Sequence, residues 1–249
     1  MRLHILGSNG TYPTPGRPAS GYVVEHGDTV IWTDAGPGTF VALWDRFALE
    51  QISAVVISHE HPDHCSDLLS AYHALAHGPS RRATLPVYCP ASVVDRISGF
   101  IRAGEGHPLA ATFSFQPVND GDKVTVGDID IEFRATDHSV PTVGSRFRAG
   151  GRVLAYSADT GASGSWADLA RDAHLFLCEA TYQGDPDAHA YTQHLTAGQA
   201  GAIARMQKAH RLMITHVPAH ADMAVSVTEA ESTFDRPVAL AVPGTVHDL

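Results

Sequence analysis

The segment His59-Glu60-His61-Pro62-Asp63-His64 places three histidines and the carboxylate of Asp63 within six residues. It follows the apolar run Ala54–Ser58, which predicts a buried strand, and it precedes Asp67–His77, whose apolar spacing predicts a helix. Pro62 ends the extended chain between them. We therefore expect these four side chains to lie on a loop that connects a strand to a helix.

Imidazole together with carboxylate is the ligand set that zinc, manganese and iron accept. Side chains two residues apart in extended chain point the same way, so His59 and His61 are expected to face one ion. Asp63 and His64 enter the next turn and are expected to face another. A histidine-rich solvated turn is the alternative, but four ligand-type residues in this pattern favour a metal site.

Composition indicates a soluble globular protein and disfavours a nucleic-acid-binding or membrane protein. The 249 residues are 44% hydrophobic and carry a formal net charge of −10, which disfavours a broad nucleic-acid footprint. The apolar run in Met1–Gly7 is too short for a signal peptide, and no stretch approaches a membrane span, so we expect a cytoplasmic protein. Cys65, Cys89 and Cys178 have no C-x-x-C spacing and are expected to be reduced thiols.

Strands and helices alternate along the chain, and hairpin turns at Asn119–Asp122 and Gly127–Asp128 add antiparallel pairing near its middle. The predicted strands are Arg2–Leu6, Gly21–Glu25, Thr29–Thr33, Ala54–Ser58, Pro86–Cys89, Thr112–Gln116, Lys123–Val126, Ile129–Arg134, Arg152–Ser157, Leu175–Cys178, Leu212–Thr215 and Val238–Val242. The predicted helices are Phe40–Ala48, Asp67–His77, Ser92–Phe100, Ser165–Ala170, Thr196–His210 and Thr228–Phe234. This pattern predicts an α/β (α+β) fold with two packed mixed sheets and helices outside.

Further metal ligands are expected at the ends of other strands, because one loop cannot surround two ions. His138, Asp159 and His216 each follow an apolar run, the position from which α/β folds present site residues. Each alone could equally be a turn residue or a histidine held by the backbone. Together with the first segment they make seven candidate ligands.

The pattern resembles the metallo-β-lactamase-fold hydrolase superfamily over nearly the whole chain. The match rests on His59-Glu60-His61-Pro62-Asp63-His64, His138, Asp159, His216 and Asp34. The resemblance implies one hydrolase domain over residues 1–249, built as a four-layer αββα sandwich with two divalent metal ions. It assigns His59, His61, His138 and Asp159 to one ion, and Asp63, His64, the shared Asp159 and His216 to the other. It also implies that Asp34 orients a ligand, and that a homodimer would be ordinary.

Within that superfamily the chain looks most like the ribonuclease Z and phosphodiesterase branch. The matching segments are Leu6-Gly7-Ser8, His138–Gly144, Ser157–Thr160, Cys178–Tyr182 and His194–Ala200. The resemblance makes His194 a catalytic histidine and Asp63 the group that holds or accepts a proton of the attacking hydroxide. Glu179, at the end of a strand, could orient a histidine, although a simple surface Glu is nearly as well supported.

The chain also departs from the tRNA-processing members of that branch. Only twenty residues, 139–158, separate two of the candidate ligands, where those nucleases carry a long arm that grips tRNA. Pro18 stands in place of Asn, Pro37 in place of Glu, and Ala158 in place of a common Gly. We therefore expect a short, armless relative that does not depend on tRNA.

The sequence predicts a dinuclear metal-dependent hydrolase in which a metal-bridging hydroxide attacks a small phosphodiester such as a cyclic nucleotide. Zinc is the expected metal, with manganese and iron as alternatives. A ribonuclease Z-like tRNA 3′-end endonuclease without its arm is the alternative function, and a lactonase or other carbonyl hydrolase is a third. A structural metal-binding module is disfavoured, because such sites usually use Cys.

Overall fold

Two seven-stranded mixed sheets form the centre of the molecule in a computed structural model that describes residues 1–79, 84–102, 104 and 107–249. The first sheet has the strand order β14-β1-β2-β3-β4-β5-β6. Its strands are β1 (Arg2–Gly7), β2 (Gly21–His26), β3 (Thr29–Thr33), β4 (Ala54–Val56), β5 (Leu85–Cys89), β6 (Phe113–Pro117) and β14 (Val246–Asp248). Strands β3 to β6 run parallel, whereas β1 pairs antiparallel with both β2 and β14.

The second sheet has the order β13-β12-β11-β10-β9-β8-β7. Its strands are β7 (Lys123–Val126), β8 (Ile129–Ala135), β9 (Val143–Ala149), β10 (Arg152–Tyr156), β11 (Leu175–Glu179), β12 (Leu212–Thr215) and β13 (Val238–Leu240). Strands β7 to β10 are antiparallel neighbours, and β10 to β13 are parallel. The Gly127–Asp128 turn is the predicted hairpin, because it joins the antiparallel neighbours β7 and β8. The predicted hairpin at Asn119–Asp122 is wrong, since this segment connects β6 of the first sheet to β7 of the second. The change from antiparallel to parallel strands along the second sheet confirms that it is mixed.

Helices cover the outer face of each sheet. They are α1 (Thr39–Trp44), α2 (Pro62–Cys65), α3 (Asp67–His77), α4 (Ala91–Phe100), α5 (Leu109–Thr112), α6 (Ala197–Met206) and α7 (Met223–Phe234). Three short 3-10 helices are Leu49–Gln51, Trp166–Ala170 and Pro186–Ala188. None of the described helices is long and apolar enough to cross a membrane.

Apolar side chains fill the three interfaces between the four layers of helices and sheets. The central layer joins the sheets and includes Ile5, Phe133 and Phe147. A second layer packs the first sheet against α1 and α3, and a third packs the second sheet against α6 and α7. Alternation along β8, where Ile131 is buried and Asp130 is exposed, shows how one strand face supplies the central layer. The four-layer αββα sandwich predicted from the resemblance is confirmed.

All twelve predicted strands are present, but β9 and β14 were missed. Strand β9 escapes sequence patterning because Ser145 and Arg146 are buried within it, so it lacks a clear apolar alternation. The predicted helix Thr196–His210 ends at Met206, because Lys208 adopts a left-handed φ of 56°. Helix α7 begins at Met223 rather than Thr228, since the Asp222 side chain caps the helix by accepting a hydrogen bond from the backbone amide of Ala224.

Two other helix predictions also need correction. The predicted helix Phe40–Ala48 is wrong at its end, because α1 stops at Trp44. The predicted helix Ser165–Ala170 is a 3-10 helix over Trp166–Ala170. Strand β4 ends at Val56 rather than Ser58, so the chain leaves the sheet just before the histidine-rich segment.

Gly36 lies where the β3 end meets that segment. A Cβ atom there would lie 2.1 Å from the carbonyl oxygen of Asp63 and 2.7 Å from that of Ser20. The Gly36 amide donates to the same Ser20 oxygen at 2.9 Å, so the backbone cannot simply move away. Gly36 therefore permits the close approach of three loops that carry or support the site.

We predict that Gly36→Ala lowers the free energy of unfolding by about 3 kcal/mol, because overpacking against backbone atoms cannot relax. Gly99→Ala is the matched control, since a Cβ at this exposed position of α4 would meet no atom within 4 Å. That substitution should be neutral or stabilise the protein by about 0.5 kcal/mol. Urea unfolding followed by circular dichroism measures both. Equal stability of the two variants would contradict the close-approach role of Gly36.

Candidate metal centre

Four side chains from three parts of the chain converge at the edge where the two sheets meet. His59 and His61 come from the loop after β4, His138 from the loop after β8, and Asp159 from the loop after β10. One donor atom of each lies within 4.8 Å of the others. Nδ1 of His61 is 3.1 Å from Nε2 of His59 and 3.1 Å from Nε2 of His138. These are the four residues assigned to the first ion by the resemblance.

A second group lies beside the first. Asp63, His64 and His216 have donor atoms within 4.8 Å of one another, with the two histidine Nε2 atoms 3.3 Å apart. Asp159 lies between the groups, because its carboxylate oxygens are 3.3 Å from Nε2 of His64, 3.4 Å from Nε2 of His216 and 3.7 Å from Nε2 of His59. The structure thus brings together all seven residues that the sequence proposes as ligands.

Asp34 contacts the second group from behind. Its Oδ2 lies 2.8 Å from Nδ1 of His64, and both residues are fully buried. Asp34 is itself held by the hydroxyl of Tyr156 at 2.7 Å and by the amide of Ser58 at 2.7 Å. This arrangement fixes the His64 ring so that Nε2 points at Asp63 and Asp159, which is the orienting position expected for Asp34.

His59, His138 and His216 are oriented in the same manner, each through Nδ1, whereas His61 turns Nδ1 toward His59 and His138. The Ser58 hydroxyl lies 2.9 Å from Nδ1 of His59, and the Thr181 hydroxyl lies 2.9 Å from Nδ1 of His216. Nδ1 of His138 is 3.1 Å from the carbonyl oxygen of Gln193. Because Nδ1 is occupied in each case, Nε2 is the atom left to bind a cation.

The chemistry of these donors fits divalent cations. Oδ1 of Asp159 is buried and has no well-formed hydrogen bond from any described residue, although it lies within 3.3 Å of Nε2 of His64. Among the described residues, no lysine or arginine forms an ion pair with Asp63 or Asp159. Buried carboxylates without cationic partners are costly, and a metal ion removes that cost. The donor set therefore suits metal binding, and it lacks the Cys ligands of structural zinc sites.

Burial and charge act in opposite directions on these groups. Burial, assisted by the neighbouring His64, lowers the pKa of His59 well below its usual value, which keeps the ring in the neutral form that binds metal. Burial would also lower the pKa of His64, but Asp159, Asp63 and Asp34 raise it well above the usual value. The three carboxylates around His64 therefore stabilise positive charge at this position.

His194 and Glu179 form a pair beside the two groups, and a donor atom of His194 lies within 4.8 Å of donor atoms of Asp159 and His216. Nδ1 of His194 lies 2.9 Å from Oε1 of Glu179, and the Glu179 side chain is fully buried. Oε1 also accepts a hydrogen bond from the amide of Thr160, and Oε2 accepts one from the hydroxyl of Thr181. Burial alone would lower the pKa of His194, but the Glu179 carboxylate raises it to about 9. Nε2 of His194 has no hydrogen bond to the described part of the chain. Glu179 is thus a buried group that orients a histidine rather than a surface residue.

A cavity of about 330 Å³ opens directly onto these groups. Its lining includes His61, His138, His194, Tyr182, Tyr191 and Pro218. The ring of Tyr182 stacks on His189 at 4.1 Å, which fixes one wall, whereas Tyr191 is 70% exposed at the rim. Thr11, from the loop between β1 and β2, also lines the cavity. The β1–β2 loop therefore contributes to the wall of the cavity through this residue.

Sequence reasoning missed the residues that hold the ligands in place. Thr181, Tyr156 and Ser58 each contribute a single hydroxyl, and Gln193 contributes only a backbone carbonyl. Ser58 and Thr181 could have been suspected, because one precedes His59 directly and the other lies two residues after Glu179. Tyr156 carries no such signal, since it reads as an ordinary apolar residue of β10.

Comparison with known proteins identifies the family and the fold of the chain. A family model described as a beta-lactamase superfamily domain matches residues 29–217. The probable metallo-hydrolase YhfI of Bacillus subtilis is 27% identical over 251 residues, covering 100% of both chains. The crystal structure of the YhfI metallo-beta-lactamase fold protein has a TM-score of 0.86 at 24% identity, covering 99% of this chain and 98% of that one.

Two ribonuclease Z proteins are also similar to the chain. The ribonuclease Z of Kineococcus radiotolerans is 27% identical, covering 86% of this chain and 82% of the relative. The short form of human tRNase Z has a TM-score of 0.80 at 21% identity, covering 100% of this chain and 99% of that one. At these identities the structural matches establish the shared fold.

We predict that Asp34→Asn lowers metal affinity by about 10- to 100-fold, because His64 loses the charged partner that orients its ring. Tyr156→Phe is the milder comparison, since it removes one hydrogen bond to Asp34 and leaves the carboxylate in place. Competition with a chromogenic zinc chelator measures both affinities. Unchanged affinity in Asp34→Asn would show that the Asp34–His64 contact does not support the ligands.

Proposed function

The chain belongs to the beta-lactamase superfamily, and from that premise we propose that it is a hydrolase with two divalent metal ions that cleaves a small phosphodiester, such as a cyclic nucleotide. We further propose that residues 1–249 work as one hydrolase domain. The observation that carries the proposal is the His194–Glu179 pair, which lies at the same cavity as the ligand groups.

The proposed ligands divide into two sets. His59, His61, His138 and Asp159 would hold one ion, and Asp63, His64 and His216 would hold the other with Asp159 shared. Zinc is the proposed metal, because neutral imidazole and carboxylate are its usual ligands at catalytic sites. When bound, such ions lower the pKa of water toward neutrality and offset charge on phosphoryl oxygens.

His194 supplies the acid in this proposal. With Nδ1 donating to Glu179, a protonated ring presents the Nε2 proton to the cavity, where it can be given to a leaving oxygen or to a phosphoryl oxygen. The Glu179 carboxylate favours that protonated form, and its own position is fixed by Thr160 and Thr181. A neutral carbonyl substrate such as a lactone gains less attraction from this cationic ring than a phosphodiester, which carries a negative charge before it reacts.

The size of the cavity and the shape of the β9–β10 hairpin favour a small substrate. About 330 Å³ suits a molecule the size of a mononucleotide. Gly150 and Gly151, both with positive φ, make the tight turn between β9 and β10. All residues between His138 and Asp159 are described, and none of them forms a protruding arm. These features argue against recognition of a tRNA body.

A ribonuclease Z-like endonuclease is the second candidate. It is supported by the similarity of the chain to the ribonuclease Z of Kineococcus radiotolerans. The tight β9–β10 hairpin would then require another surface or a partner to hold the RNA. Salt-dependent binding separates the two candidates, because tRNA contacts release many counterions and a small substrate releases few.

We predict that His194→Ala lowers turnover of bis-p-nitrophenyl phosphate by about 100-fold or more while bound metal stays unchanged. Asp159→Ala should lose both turnover and metal, because its carboxylate is shared between the two groups. Glu179→Gln is expected to act through His194 and to give a smaller loss. Metal analysis of each purified variant accompanies the kinetics. Full activity in His194→Ala would remove this residue from the mechanism.

We also predict that the metal-loaded protein hydrolyses a 3′,5′-cyclic nucleotide at least about tenfold faster than precursor tRNA or a lactone at matched concentration, since only the small phosphodiester fits both the cavity and the acid. Initial rates are measured for all three substrates in the same preparation. Faster, strongly salt-dependent cleavage of precursor tRNA would favour the endonuclease. Faster lactone opening would favour a carbonyl hydrolase.

A further inference from the structure

Arginine side chains gather on the outer face of the second sheet, in a cavity that shares no residue with the one at the metal centre. This cavity has a volume of about 530 Å³ and lies between β8, β9 and the Trp166–Ala170 helix. Its charged lining residues are Arg134, Arg146, Arg148, Arg171, Glu132, Asp168 and Asp172. A chain with only 17 lysines and arginines against 27 acidic residues therefore concentrates four guanidinium groups at one point.

Two of the four arginines have carboxylate partners. Arg134 contacts Glu132 at 2.8 Å, and Arg171 contacts Asp168 at 2.6 Å. Glu132 lies directly opposite Arg146 in the strand register, yet its ion pairs are with Arg134 and Lys123. Arg146 and Arg148 are consequently left without an ion pair to any residue that the structure describes.

Arg146 is the less usual of these two. It is 7% exposed, and one of its terminal nitrogens donates to the carbonyl oxygen of Leu169. Its Nε is buried and has no hydrogen-bond partner among the described residues. Burial, with Arg148 as a like-charged neighbour, lowers the pKa of Arg146 to about 10. Glu132 and Asp172 offset part of this charge, but they form no ion pair with Arg146 and leave its Nε donor unused, so a further anion beside the side chain would stabilise it.

Arg148 stands two residues along β9 and faces the same side of the sheet, but it is exposed. Both arginines also line an adjoining cavity of about 470 Å³ that reaches Lys123 on β7. The two cavities share Glu132, Arg146 and Arg148, so they form one groove with these arginines at its centre. A ligand can therefore reach both guanidinium groups from solvent.

We propose that Arg146 and Arg148 form a second anion site, which binds the phosphate group of a small phosphorylated molecule. Two adjacent guanidinium groups match the charge and the several acceptor oxygens of a phosphate better than those of a single carboxylate. The volume suits a sugar phosphate or a nucleotide. The carboxylates of Glu132, Asp168 and Asp172 in the same lining, and the net charge of −10, disfavour a long polyanion.

The site is tested by following the Nε–H signals of Arg146 and Arg148 by ¹⁵N NMR while ribose 5-phosphate is added to the metal-loaded protein. These signals report the proposed site separately from any binding at the metal centre. We expect saturable shifts, with inorganic phosphate binding more weakly because it leaves the rest of the cavity empty. Unshifted signals at millimolar ribose 5-phosphate would overturn the proposal.

Arg148→Gln should weaken this binding by about tenfold, because one charged hydrogen-bonding partner is removed. Arg148→Lys keeps the charge but loses the planar fork, so a smaller loss is expected. Arg205→Gln is the matched control, since it removes the same charge from an exposed site on α6 that lines a different cavity. An equal loss of affinity in Arg205→Gln would show that binding depends only on the net charge of the protein, and would overturn the proposed site.

The size of the ligand is tested with the same variants. A single-stranded RNA that bound more tightly than ribose 5-phosphate, and lost that binding in Arg148→Gln, would overturn the assignment to a small molecule. Hydrolysis of bis-p-nitrophenyl phosphate is measured in parallel. Because Arg148 lies outside the cavity at the metal centre, its basal rate in Arg148→Gln should equal that of the unmodified protein.

Discussion

Three carboxylates buried among imidazoles are the constraint on which the rest of the structure depends. Asp34, Asp63 and Asp159 are at most 8% exposed, and no lysine or arginine of the described chain pairs with them. Removing a charged carboxylate from water without compensation costs several kcal/mol, roughly the net stability of a domain. The fold can hold them only if positive charge is supplied at the same place. The donor atoms gathered around them suit divalent cations, which would supply that charge.

The backbone conformations around these groups follow from that constraint. Asp34, Ala158 and His216 are non-glycine residues with φ between 54° and 58°, and each lies just beyond the end of a central strand. Such conformations cost on the order of 1 kcal/mol or more each. They turn the chain sharply enough to aim Asp34, Asp159 and His216 back toward the seam between the sheets. The strain is tolerated because the strand residues next to these turns are held in the core: β3 and β12 are buried throughout, and β10 is buried over its last three residues.

The features that could be predicted are those whose residues recur at a characteristic separation in the sequence or follow an apolar run. His59, His61, Asp63 and His64 form a compact motif, and His138, Asp159 and His216 each follow an apolar run. The hydroxyls of Thr181 and Tyr156 could not be predicted, because a single polar atom acquires its role only from its neighbours in three dimensions. Strand β14 was missed for a related reason, since its three residues pair with β1 at the edge of a sheet and need no apolar pattern.

Strand β9 was missed for a different reason. One of its faces packs between the two sheets, and the other packs against the Trp166–Ala170 helix. Val143, Phe147 and Ala149 face the layer between the sheets. On the outer face, Gly144 lets the Trp166–Ala170 helix approach closely, since a Cβ there would lie 2.7 Å from Cδ1 of Leu169.

Arg146 lies under that helix and donates a hydrogen bond to the carbonyl oxygen of Leu169. The helix shields the Arg146 side chain from water. An arginine that served only solubility would extend into solvent, and one that served only packing would have all its donors satisfied. Arg146 does neither. The same close packing that makes β9 hard to recognise therefore leaves the buried Nε of Arg146 without a hydrogen-bond acceptor among the described residues, in a side chain that lines a cavity.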